Sequence, residues 1–321
     1  MTHPSQPELF DRGPAAPVDV APDAGALAPL ARRLPGGIRL GTSSWSFPGW
    51  AGRVYDRETT PGVLSNHGLA AYARHPLLRC VGLDRGYYEP VPDEVIALYR
   101  EQTPDDFRFV AKADRRLVLP DGPGADRELF LNPRWATDRV VGPLAAGLGR
   151  RLGAILFQFP PAPPTAFGGA RRFAEDVYRF LHGLPPGIRY LVELRTAALL
   201  SGDYVQALAH AGAGHGYVVH PEMTPLPEQL ESIPPAPGVT QVVRWMLQPG
   251  FGYADARDAW SPFRDLQRPD PVRRAQVAEA ARAMARAGGE ALVVVNNKAE
   301  GSSPASVEAL ARLLAESDAT V

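Results

Sequence analysis

From Ile38 onward the chain alternates short apolar, β-branched runs with longer stretches of helical spacing. Eight runs stand out: IRLGT from Ile38, LRCVGLD from Leu78, FRFVAK from Phe107, AILFQF from Ala154, RYLVEL from Arg189, GYVVH from Gly216, TQVVRW from Thr240 and ALVVVNN from Ala291. Each is short and largely apolar, the pattern of strands covered on both faces. Between them, helical spacing predicts helices near Ser65–His75, Pro92–Gln102, Thr137–Arg150, Gly169–Leu184, Tyr204–Ala211, Val272–Ala287 and Pro304–Glu316. Ser303 is placed to cap the last of these, with Pro304 at its first helical position. The link MTPLPEQLESIPPAPG, between the sixth and seventh runs, holds too many prolines for a long helix and is expected to carry one turn at most.

Eight strands alternating with helices predict an α/β protein with a parallel sheet, and the short connections leave little room for a second domain. The expected fold is a (β/α)8 TIM-type barrel over residues 36–321, as a single domain. The alternative is an open doubly wound sheet, but the first strand is followed by GTSSWSFPGWAG and not by a Gly-x-Gly-x-x-Gly turn. Residues 1–35 are rich in Pro, Ala and Asp without apolar periodicity, and are expected to form a disordered tail.

Composition narrows the function. There are 34 prolines and 31 glycines, yet 45% of residues are hydrophobic, enough for a core. A formal charge of −1 argues against a surface built wholly for nucleic acid or anionic membrane. The single cysteine, Cys80, excludes an internal disulfide and any multi-cysteine metal site. No run is long enough to span a membrane, and the N-terminus lacks the pattern of a signal peptide, so a cytoplasmic protein is expected. Of 34 basic residues only two are lysines, Lys112 and Lys298.

In such a barrel the site forms at the C-terminal ends of the strands. Those ends carry Thr42, Ser43, Ser44 and Trp45; Asp84, Arg85, Tyr87 and Tyr88; Lys112; Gln158; Glu193 and Arg195; His220 and Glu222; Arg244; and Asn296, Asn297, Lys298 and Glu300. Both lysines fall there, although arginine supplies nearly all positive charge elsewhere. A lysine at the end of an apolar strand can serve as acid or base when desolvated, or pair with Glu193. Glu193 itself lies in an apolar strand and needs a partner; it is either a buried ion-pair member or an acid/base. Gln158 serves the core or a ligand equally well. The Gly-Ser-Ser-Pro turn after Lys298 offers backbone N–H groups to a phosphate or carboxylate. Trp45, Phe47, Trp50, Tyr87 and Tyr88 either pack together or line the mouth to stack a ring. Nothing in the spacing demands a metal or a cofactor, and none is expected.

The opening IRLGTSSWSFPGWAGRVY, with FRFVAK, LGAILFQFPP, YLVELR and the closing VNNKAEGSSPASVEAL in order, resembles the YecE-like family, also called domain of unknown function 72 (DUF72). The resemblance runs from Ile38 to about Leu314 and implies a (β/α)8 barrel. It carries over Thr42, Ser43, Trp45, Tyr88, Lys112, Gln158, Glu193, Arg195, Arg244, Asn296 and Asn297 position by position. Departures mark a variant subgroup with an NNKAEG motif. Gly82 stands where commoner members carry a glutamate, Asp84 follows two residues later, and Thr196 and Trp245-Met246 replace their histidine-bearing positions. The resemblance therefore implies no mechanism that relies on those groups.

The reading that follows is an enzyme or binding protein for a small anionic, phosphate- or carboxylate-bearing metabolite at the barrel mouth. Glu193 and Lys112 are the expected catalytic pair; Thr42, Ser43, Trp45, Asp84, Tyr88, Gln158, Arg195, Arg244, Asn296, Asn297 and Lys298 are the expected ligand contacts. Hydrolysis, lyase and isomerase chemistry all stay open. A nucleic-acid-binding barrel and a non-catalytic family member are the alternatives.

Overall fold

The computed structural model describes residues 17–316. Nine strands occur among them: β1 (Ile38–Thr42), β2 (Cys80–Leu83), β3 (Arg108–Lys112), β4 (Leu152–Gln158), β5 (Tyr190–Glu193), β6 (Gly214–His215), β7 (Tyr217–Val219), β8 (Gln241–Trp245) and β9 (Ala291–Val295). They form one parallel sheet in the order β6-β5-β4-β3-β2-β1-β9-β8-β7. The two end strands, β6 and β7, are separated in the chain by Gly216 alone. The sheet therefore closes on itself as an α/β, TIM-type barrel whose sixth strand is broken in two.

The break has a steric cause and a polar remedy. A Cβ at Gly216 would stand 2.8 Å from Leu156 Cδ1 and 3.3 Å from Glu193 Cβ, so a larger residue here would have to displace the Leu156 side chain. Its N–H still reaches Val192 O at 2.9 Å, but β7 has no strand neighbour beyond β8. Val218 N–H instead donates to Gln229 Oε1 at 3.1 Å, and Gln229 Nε2 donates to Val218 O at 2.8 Å. A buried amide side chain thus substitutes for a missing strand. Gln229 sits on a helix, Leu226–Ser232, inside the proline-rich link. That helix is seven residues long rather than the single turn expected, because its prolines occupy the first turn, where no N–H is needed.

Alternation along the strands sorts the barrel interior into layers. At the N-terminal end, Glu290 accepts from Arg39 Nε at 2.8 Å and from Arg108 Nε at 2.9 Å. The middle is apolar: Cys80, Val110, Ala154, Leu156, Leu191, Val242, Leu292 and Val294 form a separate buried cluster. One inward position further on come Lys112, Gln158, Glu193, Arg244 and Asn296, all at the C-terminal mouth. The opposite strand faces join the larger core shared with the surrounding helices.

Residues 17–35 correct one expectation. Val18, Ala21 and Ala24 are buried, Val20 bridges to Tyr55, and Pro22–Leu27 form a 3-10 helix, so this stretch packs on the barrel. Small side chains allow close packing without the periodicity that flags a helix. Residues 1–16 lie outside the described residues. A helix at Tyr253–Trp260, in the long connection from β8 to β9, was also not expected.

Gln229→Leu should cost about 2–4 kcal/mol, since it leaves the Val218 N–H and C=O buried and unpaired. Urea denaturation of the two proteins checks this; an unchanged midpoint would show that the amide is dispensable.

Candidate functional site

Glu193 ends β5 with 0% of its surface exposed. Arg195, two residues on, donates from Nε to Glu193 Oε1 at 2.8 Å, and its Nη2 lies 2.5 Å from the same oxygen. Arg244 comes from β8 and contributes Nη1, which lies 3.2 Å from Oε1 and 3.1 Å from Oε2. Burial alone would raise the Glu193 pKa, but Arg195, Arg244 and Lys112 together overcome it and hold the carboxyl below its usual range. Both oxygens are committed, and the group is sealed from solvent. That geometry is a buried ion pair.

Arg244 also points Nη2 toward Asp84 Oδ1, at 3.5 Å, and Asp84 is the more exposed of the two acids. Lys112 differs from both arginines. Its Nζ sits 3.4 Å from the centroid of the Tyr87 ring, and it forms no ion pair among the described residues. Burial lowers its ammonium pKa to about 8; Asp84 and Glu193 pull it up, while Arg244 and Arg195 push it down. His220, at the end of β7, is likewise driven down to about 4, by burial and then by Arg195. It is neutral at physiological pH.

A second group lies on the β9 side of the mouth. Asn296 Nδ2 donates to Ser43 Oγ at 2.8 Å and to Tyr253 OH at 3.3 Å, while Asn296 Oδ1 accepts from Lys298 N at 2.9 Å. Lys298 Nζ lies over Tyr253, 4.2 Å from the ring centroid, and 5.5 Å from that of Phe263. Burial and Arg257 lower its pKa. Gln158 ends β4 in register with Glu193, buried at the mouth.

Other residues expected as ligand contacts also bond to the loops and helices around the mouth. Thr42 Oγ1 donates to Ser44 O at 2.6 Å and meets Tyr72 OH at 2.9 Å, so it closes the first loop. Trp45 Nε1 donates to Leu64 O at 3.1 Å, and its ring packs edge-on against Tyr99. Asn297 Oδ1 accepts from the N–H and hydroxyl of Ser303, each at 2.8 Å, and caps the last helix. Ser302 and Ser303 are buried, so the turn expected to cradle an anion is already closed by its own side chains. Tyr88 is 67% exposed and stacks edge-on against Tyr87, on the rim. Among the described residues no group of three or more His, Cys, Asp or Glu is placed to hold a metal ion. No helix there is long and apolar enough to cross a membrane.

The sequence profile described as "Protein of unknown function DUF72" matches residues 39–321. The chain belongs to the DUF72 family. Among solved structures, a DUF72 family protein from Thermotoga maritima is 18% identical with a TM-score of 0.60, over 86% of this chain and 98% of that one. Another from Enterococcus faecalis is 18% identical with a TM-score of 0.56, over 87% and 95%. At such identity these matches speak for the fold alone. None of the curated proteins matches this DUF72 chain.

Sequence reasoning missed Tyr253, which is 49% exposed at the mouth and touches both Asn296 and Lys298. The available signal was the spacing of Tyr253, Ala256 and Trp260 in YADARDAW, which is helical.

Glu193→Gln should destabilise the barrel by about 3–5 kcal/mol at neutral pH, because two buried guanidinium groups lose their counter-charge. Glu193 titrates below its unfolded value, so its stabilisation is complete above about pH 4.3 and is lost as pH falls through the lower folded value. The gap between the two proteins in denaturation should therefore close in acid; a constant gap would contradict an ionised Glu193.

Proposed function

We propose that this DUF72 barrel binds a small carboxylate- or phosphate-bearing metabolite at its C-terminal mouth. The observation that carries the reading is Lys112, a cation held at the mouth on an aromatic ring with no carboxylate paired to it among the described residues. Arg195 supports it: Nε and Nη2 serve Glu193, which leaves Nη1 for a ligand. Tyr87 and Tyr253 wall the approach, and Asn296 and Gln158 offer amide groups at the ends of adjoining strands.

In this reading Glu193 fixes the two guanidinium groups in place and does not take a proton from the ligand. Lys112 is the group that exchanges one, with Asp84 the nearer exposed carboxylate. The sealed Glu193 favours binding, or catalysis centred on Lys112, over the Glu193–Lys112 acid/base pair expected from the sequence.

Inorganic phosphate and simple carboxylates should raise the melting temperature of the protein, and Lys112→Gln should remove most of that shift. A bound anion raises the Lys112 pKa, so binding takes up a proton once the free amine has titrated. For a carboxylate, which stays ionised throughout, affinity should be level from about pH 6 to about pH 8 and fall by up to tenfold per unit above it. No stabilisation by any anion, or an equal shift in Lys112→Gln, would defeat the proposal.

A further inference from the structure

Beside the ion-pair cluster, between the loops that follow β1 and β2, lies a cleft of about 110 Å³. Its lining is unusually rich in hydroxyls: Ser43, Ser44, Ser46 and Ser65 face Asp84 and Arg85 across it. The cleft also borders Gly82, where a Cβ would stand 3.1 Å from Ser43 Cα, so a side chain there would press into the first loop. Trp45 and Tyr99, packed edge-on with ring centroids 5.1 Å apart, supply an aromatic wall.

Three features of this lining point to one ligand chemistry. Ser43 Oγ already accepts from Asn296, so its own O–H is left to donate. Ser44 and Ser46 hydroxyls are 3.2 Å apart and either can give or take a hydrogen bond. Asp84 is an acceptor-only group when ionised, able to receive two neighbouring hydroxyls, and it links the cleft to Arg244. A mixed set of hydroxyl donors and acceptors against an aromatic wall matches a carbon chain that is apolar along its C–H edge and hydroxylated along the other. At about 30 Å³ per water the cleft holds three or four waters, which as many ligand hydroxyls can replace.

We propose that the metabolite is a polyhydroxylated anion, a sugar acid or sugar phosphate: its charged group meets Lys112 and Arg195, and its hydroxylated chain passes Asp84 into the serine cleft. The inference rests on the anion-binding reading above and adds the substrate class to it. The cation cluster cannot account for hydroxyls, and the cleft's one cation, Arg85, lies with Asp84 in the same lining.

The test is calorimetric titration of the full chain with matched probes: acetate against gluconate, inorganic phosphate against glucose 6-phosphate, and neutral glucose. Gluconate and glucose 6-phosphate should bind on the order of tenfold or more tighter than acetate and phosphate, as two or three added hydrogen bonds would give. Ser65→Leu, which fills the cleft from a partly exposed helix position, should erase that preference while phosphate binds as before. Ser46→Leu provides the same test should the first variant fail to fold. Anions that bind with no hydroxyl preference, or a preference that survives both variants, would overturn the cleft and leave the anion site standing. If no anion binds at all, the anion reading itself fails. Glucose binding as tightly as glucose 6-phosphate would overturn the two-part ligand.

Discussion

A carboxylate with no exposure at the mouth of a barrel has to be answered by charge, and the way Glu193 is answered organises the surrounding strands. Arg195 answers from the same strand and Arg244 from β8. β5 and β8 are the strands that flank the broken sixth strand, where β5 pairs with the two-residue β6 and β8 with the three-residue β7. The Glu193–Arg244 pair spans that gap above Gly216, and Gln229 closes it from outside by pairing with Val218. Desolvating three charges is expensive, so the cluster contributes less to stability than its contacts suggest. Its larger consequence is geometric, since two guanidinium groups are held in fixed positions at the mouth.

Charge counting alone would not single out this end of the barrel. At the other end Arg39, Arg79 and Arg108 meet Glu290 and Asp106, also three cations to two acids. Each of those three reaches a carboxylate within 4.0 Å, while Arg189, at the same end, is held by the carbonyls of Thr240 and Gly212. At the mouth Lys112 reaches a tyrosine ring instead. The same test bears on the exterior. On the helix Ala170–His182, Arg171, Arg172 and Arg179 pair with Glu175 and Asp176 along their own helix. The charge of these three arginines is therefore met by acids of their own helix.

Much of the barrel was legible because parallel strands covered on both faces must be apolar runs, and period-two alternation then places Lys112, Glu193 and Arg244 at one end of one lumen. The break at Gly216 was not legible, because its remedy is Gln229, a polar residue in a proline-rich link that only the folded chain brings beside β7. Residues 17–35 were misjudged since Val18 and Ala21 bury small surfaces that leave no period in the sequence. At the site, residue type identified the mouth but not who pairs with whom. Thr42, Trp45 and Asn297 read as ligand contacts, and residue type gave no sign that each also bonds to nearby backbone, at Ser44, Leu64 and Ser303. Tyr253 escaped because its helix lies in a connection where nothing in the barrel repeat requires one.

The scarcity of lysine acquires a physical reading from these positions. Glu193 is served by arginines, whose charge is permanent and whose planar forks suit a carboxylate. Both lysines of the chain lie instead on aromatic rings at the mouth, Lys112 on Tyr87 and Lys298 on Tyr253 and Phe263. A guanidinium at position 112 would stay charged under all conditions and would compete with Arg195 and Arg244 for Glu193. An ammonium whose pKa has dropped to about 8 is poised near neutrality, and its three donors rotate to whatever approaches. The arginines therefore set a fixed field, while Lys112 is a cation of the cluster whose charge can change close to neutral pH.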